Sequence, residues 1–233
     1  MTQRTAILFF AKDPLADEKA QRFPRHLAPV FRSAFGILHK RTAALLRETG
    51  LPVFHSNESN QTKTGFGKRI THALAEVFDC GFESVLVVGN DSPDLSHSDL
   101  EKAIARLESG YSVLGPSTDG GAYLIGIHQK NFCPETWEEL PWCTPRLFQS
   151  LLTLLFKRGA PQPSLLRHLA DLDHADSIRR WLKHPARCVL NKLRTLLHAL
   201  IAEKPAGIFI VEFSFIARSI RFSKGLRAPP MCT

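Results

Sequence analysis

The sequence has no apolar run of the roughly eighteen residues that a membrane-spanning helix needs. Its first apolar run, Ala6–Ala11, is too short for the core of a signal peptide, and Lys12 and Asp13 follow it directly. The sequence also has no internal repeats and no low-complexity segments. We therefore expect a soluble, globular, cytoplasmic protein.

Cysteine and histidine show none of the spacings typical of metal sites or disulfide frameworks. There are 5 cysteines, an odd number, and none forms a C-x-x-C pair. The 10 histidines include no H-E-x-x-H motif. This pattern indicates reduced thiols and argues against a zinc site.

Positive charge is in excess but is nowhere concentrated. The net charge is +8 over 233 residues, yet the chain contains no long Lys/Arg run and no zinc-finger or RNA-binding signature. The excess suits an anionic substrate such as a nucleotide, and in principle a nucleic acid or an acidic membrane. Because the charge is scattered, we do not expect nucleic acid as a partner.

Short apolar runs alternate with segments of helical periodicity. Runs typical of buried strands lie at 5–11, 51–55, 84–89, 111–114 and 122–127, with a weaker one at 169–172. Helical spacing is found at 26–49, 67–79, 144–158, 175–183 and 187–203, and from Ser96 or Ser98 onward, while 131–143 is predicted to be a loop. This order predicts an α/β fold, a three-layer α/β/α sandwich with a mostly parallel sheet.

Carboxylates follow two of the predicted strands. Asp91 and Asp94 come directly after the strand at 84–89, and Asp119 heads a loop with Gly120 and Gly121 between the next two strands. Ligands of open α/β sheets bind at the carboxyl ends of strands. Asp-x-Pro and Asp-Gly are also common turn formers, but two such clusters at strand ends favour a site.

The loop at 12–24, after the first strand, is basic. It carries Lys12, Lys19 and Arg22, with Arg25 just beyond it. A loop in this position commonly contacts phosphate groups, although a solvated charged loop would have the same composition.

Five motifs occur in the order typical of one family: F-A-K-D-P from Phe10, G-N-D-S-P-D-L from Gly89, Gly115–Gly126, W-C-T from Trp142, and D-L-D from Asp171. Together they span about residues 5–183 and resemble the DUF2064 family of nucleotide-diphospho-sugar transferase-like proteins, relatives of the molybdopterin and 2-phospholactate guanylyltransferases. The resemblance implies a Rossmann-like fold of glycosyltransferase-A type. It also implies metal-dependent glycosyl or nucleotidyl transfer from a sugar nucleotide or a nucleoside triphosphate.

The resemblance also implies the site residues. Catalytic roles fall on Asp91 and Asp119, and Mg²⁺ or Mn²⁺ would be held by Asp91, Asp171 and Asp173, because phosphate-bound divalent ions prefer hard oxygen ligands. Asp171 and Asp173 could alternatively cap the following helix. The substrate-binding residues would be Gly120, Gly121, Trp142 and Thr144. The nucleotide-binding residues would be Ala11, Lys12, Pro14, Arg22, Gln61, Gly67, Arg69 and Asn90.

The phosphate loop departs from the family pattern. Asp17 stands where the family has glycine, and only Arg22 remains of the following K-T-R-L tetrad. Acidic residues beside a phosphate weaken its binding. In the D-G-G-Y-Y motif, Ala122 replaces the first tyrosine. The alternative hypothesis is therefore a catalytically impaired nucleotide-binding protein of the same fold.

The resemblance ends near Lys183, and Pro185 follows. We therefore predict a transferase-like domain at 1–184 and an apolar, basic extension at 185–233. This extension could serve in peripheral membrane contact or self-association. Within it, Val189, Leu193, Leu197 and Leu200 are expected to form one buried stripe.

Overall fold

The computed structural model describes residues 4–13, 24–57, 63–157, 159, 161–183 and 190–202. Six strands form one sheet in the order β2-β1-β3-β5-β4-β6. They are β1 (Thr5–Phe10), β2 (Val53–Ser56), β3 (Ser84–Val88), β4 (Val113–Pro116), β5 (Ala122–His128) and β6 (Ser164–Leu165).

Most neighbouring strands run parallel, as predicted. β1 pairs in parallel with β2 and β3, and β4 pairs in parallel with β6. β5 is antiparallel to both of its neighbours, β3 and β4. The reason is the connection from β4 to β5, which spans only Ser117–Gly121 and is too short for the crossover that parallel strands require.

Helices cover both faces of the sheet and complete the predicted three layers. The helices are α1 (Ala28–Glu48), α2 (Phe66–Asp79), α3 (His97–Glu108), α4 (Pro134–Glu138), α5 (Leu147–Lys157), α6 (Ala175–Leu182) and α7 (Asn191–Ile201). α2, α4 and α5 pack on the face that Ala6 and Leu8 of β1 present. α3 and the second half of α1 pack on the opposite face, against Ile7 and Phe9. The alternation along β1 follows from the two-residue period of a strand.

Three local features differ from the sequence expectation. Residues 131–143, predicted to be a loop, contain the short helix α4, whose Trp137 is fully buried. The strand expected at 169–172 is reduced to one bridge between Ser117 and Leu169, and the edge strand is β6 instead. α4 has 5 residues, little more than one helical turn, and β6 has 2, so neither element shows a periodicity in the sequence.

The start of α3 agrees with the sequence. Ser96 is its N-cap: the Asp99 amide donates to the Ser96 hydroxyl (3.3 Å), and the Ser96 amide donates to Asp99 Oδ2 (3.0 Å). This reciprocal capping box fixes the point at which the chain turns from the loop after β3 into the helix.

α7 packs against the first half of α1 and against α6. Leu193, Leu197 and Leu200 are buried in one cluster that also contains Phe31 and Phe35 of α1. These leucines form the expected stripe, whereas Val189 lies outside the described residues. The predicted boundary after residue 184 stays a prediction, because this packing does not show whether the sheet folds without α7.

Leu197→Ala is expected to lower the free energy of unfolding by about 2–5 kcal/mol, because the fully buried side chain leaves a cavity. Chemical denaturation of the full chain measures the loss. Leu196→Ala on the same helix is the control, since Leu196 is only partly buried and should cost less. Equal losses for the two variants would contradict the packing described for α7.

Across the described segments, no helix is both long and apolar enough to cross a membrane.

Candidate functional site

A cavity of about 770 Å³ opens at the carboxyl ends of β1 and β3. Within the sheet, β2 lies on one side of β1, and β3 lies on the other side of β1. The order of the strands therefore reverses between β1 and β3, and such a switch point leaves a crevice in which α/β proteins bind ligands. The beginning of β5 contributes the third wall, because β5 runs in the opposite direction.

Three carboxylates converge at one side of this cavity. Asp119, Asp171 and Asp173 each offer an oxygen, and these oxygens all lie within 4.8 Å of one another. Asp119 comes from the β4–β5 turn, and the other two come from the segment before α6. Asp91, from the loop after β3, lines the same cavity but is not part of this group of three.

The turn that carries Asp119 is held rigidly. Asp119 Oδ1 accepts hydrogen bonds from the Ser117 hydroxyl (2.5 Å) and the Gly121 amide (3.0 Å). Gly120 adopts a φ of +90°, and a Cβ built on it would lie 2.2 Å from the Pro145 carbonyl oxygen. The turn thus requires glycine for both its conformation and its close approach to the chain before α5.

The segment that carries Asp171 and Asp173 is tied to both neighbouring loops. The Leu172 amide donates to the Asp91 carbonyl (3.0 Å), and the Ser92 hydroxyl donates to Asp171 Oδ1 (3.3 Å). On the other side, the Thr118 amide donates to the Leu169 carbonyl (2.9 Å). The N-cap of α6 is His174, so neither aspartate occupies the capping position.

The structure brings most of the predicted site residues to the cavity wall. The lining includes Ala11, Lys12, Arg69, Asn90, Asp91, Asp119, Gly121, Trp142, Thr144, Asp171 and Asp173. Pro14, Arg22 and Gln61 lie outside the described residues.

Gly67 and Gly120 do not line the cavity. A Cβ on Gly67 would lie 2.6 Å from the Glu138 carbonyl oxygen and 2.8 Å from Cδ1 of Trp142. Gly67 therefore allows α2 to pack closely against α4 and Trp142, just as Gly120 allows its turn to approach Pro145. Both glycines therefore affect the cavity indirectly, through the position of neighbouring residues that line it.

An aromatic wall faces the cavity, and sequence reasoning missed most of it. Phe66 lies between Phe10 and Trp142, with ring centroids 5.4 and 5.6 Å apart. The Trp142 indole N–H donates to the Trp137 carbonyl (2.7 Å), so this donor is already engaged. Phe66 directly precedes the predicted helix at 67–79, and no periodic signal marked it.

Charged and uncharged polar side chains complete the lining. Arg69 contributes a guanidinium whose buried Nε donates to no acceptor among the described residues. Tyr123 donates its hydroxyl to the Arg167 carbonyl (3.1 Å), and burial, followed by the charge of Asp99, raises the pKa of this phenol. Tyr123 is therefore uncharged at neutral pH. His174, which the sequence did not indicate, also lines the cavity.

The chain has a fold of glycosyltransferase-A type, which is similar to that of a nucleotide-diphospho-sugar transferase. A solved structure from Desulfovibrio desulfuricans G20, provisionally assigned as such a transferase, matches with a TM-score of 0.73 and 20% identity. The match covers 86% of this chain and 97% of that chain.

The sequence model of the DUF2064 family, which is described as an uncharacterized protein conserved in bacteria, matches part of the chain and confirms the predicted resemblance. The matched part is residues 37–144, which contain the two central motifs at Gly89 and Gly115. No curated protein matches the chain significantly.

Two weaker structural matches come from Mycobacterium tuberculosis H37Rv. The Rv0371c protein matches with a TM-score of 0.45 and 15% identity, over 79% of this chain and 100% of that chain. Its complex with manganese matches with a TM-score of 0.44 and 14% identity, over 78% and 100% of the two chains.

Proposed function

We propose that the chain is a metal-dependent transferase that uses a nucleotide-activated substrate, with a sugar nucleotide as the donor of a glycosyl group. The observation that carries this proposal is the convergence of Asp119, Asp171 and Asp173 in a large cavity at the switch point of the sheet. Three carboxylates this close repel one another unless a cation or protons compensate their charge.

The donor set suits Mg²⁺ or Mn²⁺, because both prefer carboxylate oxygens and share their coordination with substrate phosphates. We propose Asp119, Asp171 and Asp173 as ligands, with Asp91 at the same edge as a further acidic group of the site. A bound divalent ion neutralises phosphate charge and stabilises a phosphate leaving group.

Basic and polar groups at the β1 and α2 side would bind the nucleotide. Lys12 follows β1, Arg69 lies in the first turns of α2, and Asn90 follows β3, and all three line the cavity. The planar guanidinium of Arg69 is suited to phosphate, because two phosphate oxygens can accept hydrogen bonds from two of its nitrogens. Pro14, Arg22 and Gln61 remain proposed members of this group.

The aromatic wall would hold a ring of the substrate. The faces of Phe10, Phe66 and Trp142 offer apolar contact to a nucleobase or a sugar ring, and the Trp142 indole is fixed by its bond to Trp137. Gly121 and Thr144, which also line the cavity, are proposed to contact the transferred group or its acceptor.

In the proposed reaction, the bond between the anomeric carbon and the phosphate oxygen breaks, and the nucleoside diphosphate leaves with the bonding electron pair. An acceptor hydroxyl oxygen forms the new bond to the anomeric carbon. Its proton passes to a carboxylate, for which we propose Asp91 because it lines the cavity outside the cluster of three.

A thermal-shift screen of nucleotides and sugar nucleotides, with and without Mn²⁺, tests the proposal. We expect a sugar nucleotide to raise the melting temperature only when Mn²⁺ is present. Incubation of that ligand with candidate acceptors should then release a nucleoside diphosphate, whereas nucleotidyl transfer from a triphosphate would release pyrophosphate. Binding without turnover of either substrate would favour the catalytically impaired binder. No metal-dependent binding at all would contradict the proposal.

We also propose a cytoplasmic location, because an odd number of cysteines without a C-x-x-C pair suits a reducing compartment. The extension at 185–233 is proposed as an accessory to the domain at 1–184, for self-association or peripheral membrane contact. Beyond 202 it lies outside the described residues.

A further inference from the structure

Arg167 stands at the centre of a hydrogen-bond network behind the acidic cluster. Its guanidinium donates two parallel hydrogen bonds to Asp99, from Nε to Oδ1 (2.9 Å) and from Nη2 to Oδ2 (2.8 Å). The same Nη2 donates to the Asp94 carbonyl oxygen (2.7 Å). Arg167 thereby joins the first turn of α3 and the loop after β3 to the segment that leads to Asp171.

Asp99 is a fixed anchor for this contact. Its side chain is only 6% exposed, and its Oδ2 also accepts from the Ser96 hydroxyl (2.6 Å) and amide (3.0 Å). Burial alone would raise the pKa of Asp99, but the bonds from Arg167 and Ser96 outweigh it and lower the pKa below its ordinary value. A bidentate, charge-assisted pair with one buried partner defines a geometry better than an ion pair between two exposed side chains.

The backbone of Arg167 is held as well. Its carbonyl accepts the Tyr123 hydroxyl bond, and the Tyr123 ring fits only because residue 115 is glycine, where a Cβ would lie 2.5 Å from the ring. Two residues further on, the Leu169 amide donates to the Pro116 carbonyl (3.1 Å). The chain from Arg167 to Leu169 is therefore locked against the end of β4.

The loop after β3 meets the segment at 167–181 at three further points, one of which is the bond from the Ser92 hydroxyl to Asp171 Oδ1 (3.3 Å). The Leu172 amide donates to the Asp91 carbonyl (3.0 Å), and the Trp181 indole N–H donates to Asp94 Oδ2 (2.9 Å). Asp171 and Asp173 lie between the Arg167 and Trp181 contacts. Their position relative to Asp91 and Asp119 thus depends on how the loop and the segment are held together.

We propose that Arg167, through its bidentate grip on Asp99 and its bond to the Asp94 carbonyl, is a positioning residue that sets the geometry of the Asp119–Asp171–Asp173 cluster and hence its affinity for a divalent cation. The inference rests on the proposed metal-binding function of that cluster. Arg167 does not line the cavity, so it acts through the loop and the segment that it joins.

The sign of the effect separates geometry from charge. Removing a positive charge near three carboxylates would by electrostatics alone strengthen the binding of a cation. A loss of affinity in Arg167→Met must therefore come from misplaced ligands. Arg167→Lys keeps the charge but loses the planar fork, so it should fall between the parent and the methionine variant.

The test is a titration of the full-length parent and variants with Mn²⁺ alone, followed by electron paramagnetic resonance, with thermal unfolding recorded in parallel. Arg167→Met should bind Mn²⁺ about 10- to 100-fold more weakly than the parent, as is typical when partners of metal ligands are lost. Arg179→Met is the matched control, because Arg179 pairs with Asp176 (2.8 Å) on the exposed face of α6. It should bind Mn²⁺ as the parent does.

A melting temperature that falls in Arg167→Met while Mn²⁺ affinity stays at the parent value would overturn the inference, since it would show a purely structural role. If the methionine variant does not fold, the melting temperature and the Mn²⁺ affinity of Arg167→Lys are compared with those of the parent by the same criterion. A parent chain that binds no Mn²⁺ would instead overturn the proposed function, and this inference with it.

Discussion

Asp119→Asn should bind Mn²⁺ about 100-fold or more weakly than the parent and should lose metal-dependent turnover, while keeping its fold. Affinity for such ions depends steeply on the number of carboxylate ligands. Asparagine retains an Oδ1 that can accept the bonds from the Ser117 hydroxyl and the Gly121 amide, so the turn should persist. The substitution therefore removes charge from the cluster with little change in shape. Mn²⁺ titration and thermal unfolding measure the two effects separately.

Asp176→Asn provides the control for this substitution. Asp176 lies close in sequence to Asp171 and Asp173, but it is exposed and pairs with Arg179 on α6. Unchanged Mn²⁺ affinity in Asp119→Asn, or an equal loss in Asp176→Asn, would contradict the assignment of the cluster. Asp91→Asn belongs in the same series, because the sequence indicated Asp91 as a ligand and the structure places it beside the cluster. A comparable loss in that variant would make Asp91 a fourth ligand.

The sequence indicated where the candidate site lies, but it did not indicate which carboxylates meet there. Asp91 and Asp119 were found because each follows or precedes a strand whose apolar character is clear, and strand ends are where α/β folds bind ligands. That Asp119 lies beside Asp171 and Asp173 depends on contacts of Ser117 and Thr118 with Leu169. Contacts between segments about fifty residues apart in the chain leave no periodic signal.

The glycines show a second limit of sequence reasoning. Gly67 was predicted to bind the nucleotide and Gly120 to bind the substrate, and the structure places a protein neighbour close to each, the Trp142 ring or the Pro145 carbonyl. A glycine required for close approach has the same appearance in the sequence whatever approaches it. For Gly67 the neighbour became visible only with α4, a helix of five residues that gave no helical signal of its own.

Gly120→Ala is expected to lower the free energy of unfolding by about 2–5 kcal/mol and to weaken Mn²⁺ binding as well. One part of the cost comes from the backbone, because a φ of +90° is unfavourable for a residue with a Cβ. The larger part comes from contact, since the new Cβ would lie 2.2 Å from the Pro145 carbonyl oxygen, a rigid backbone atom. Relief of that contact must move the turn, and the turn carries Asp119.

Gly81→Ala is the control for Gly120→Ala, because it has the backbone cost without the contact cost. Gly81 has a φ of +91°, nearly the same as that of Gly120, but nothing lies within 4 Å of the Cβ that alanine would add. It should cost only the backbone term, about 1–2 kcal/mol, and leave Mn²⁺ affinity at the parent value. The difference between the two variants in chemical denaturation therefore measures the contact with Pro145. If both variants lose the same stability and neither changes Mn²⁺ affinity, the Asp119 turn is free to move away from Pro145, and the close packing that we describe does not position the cluster.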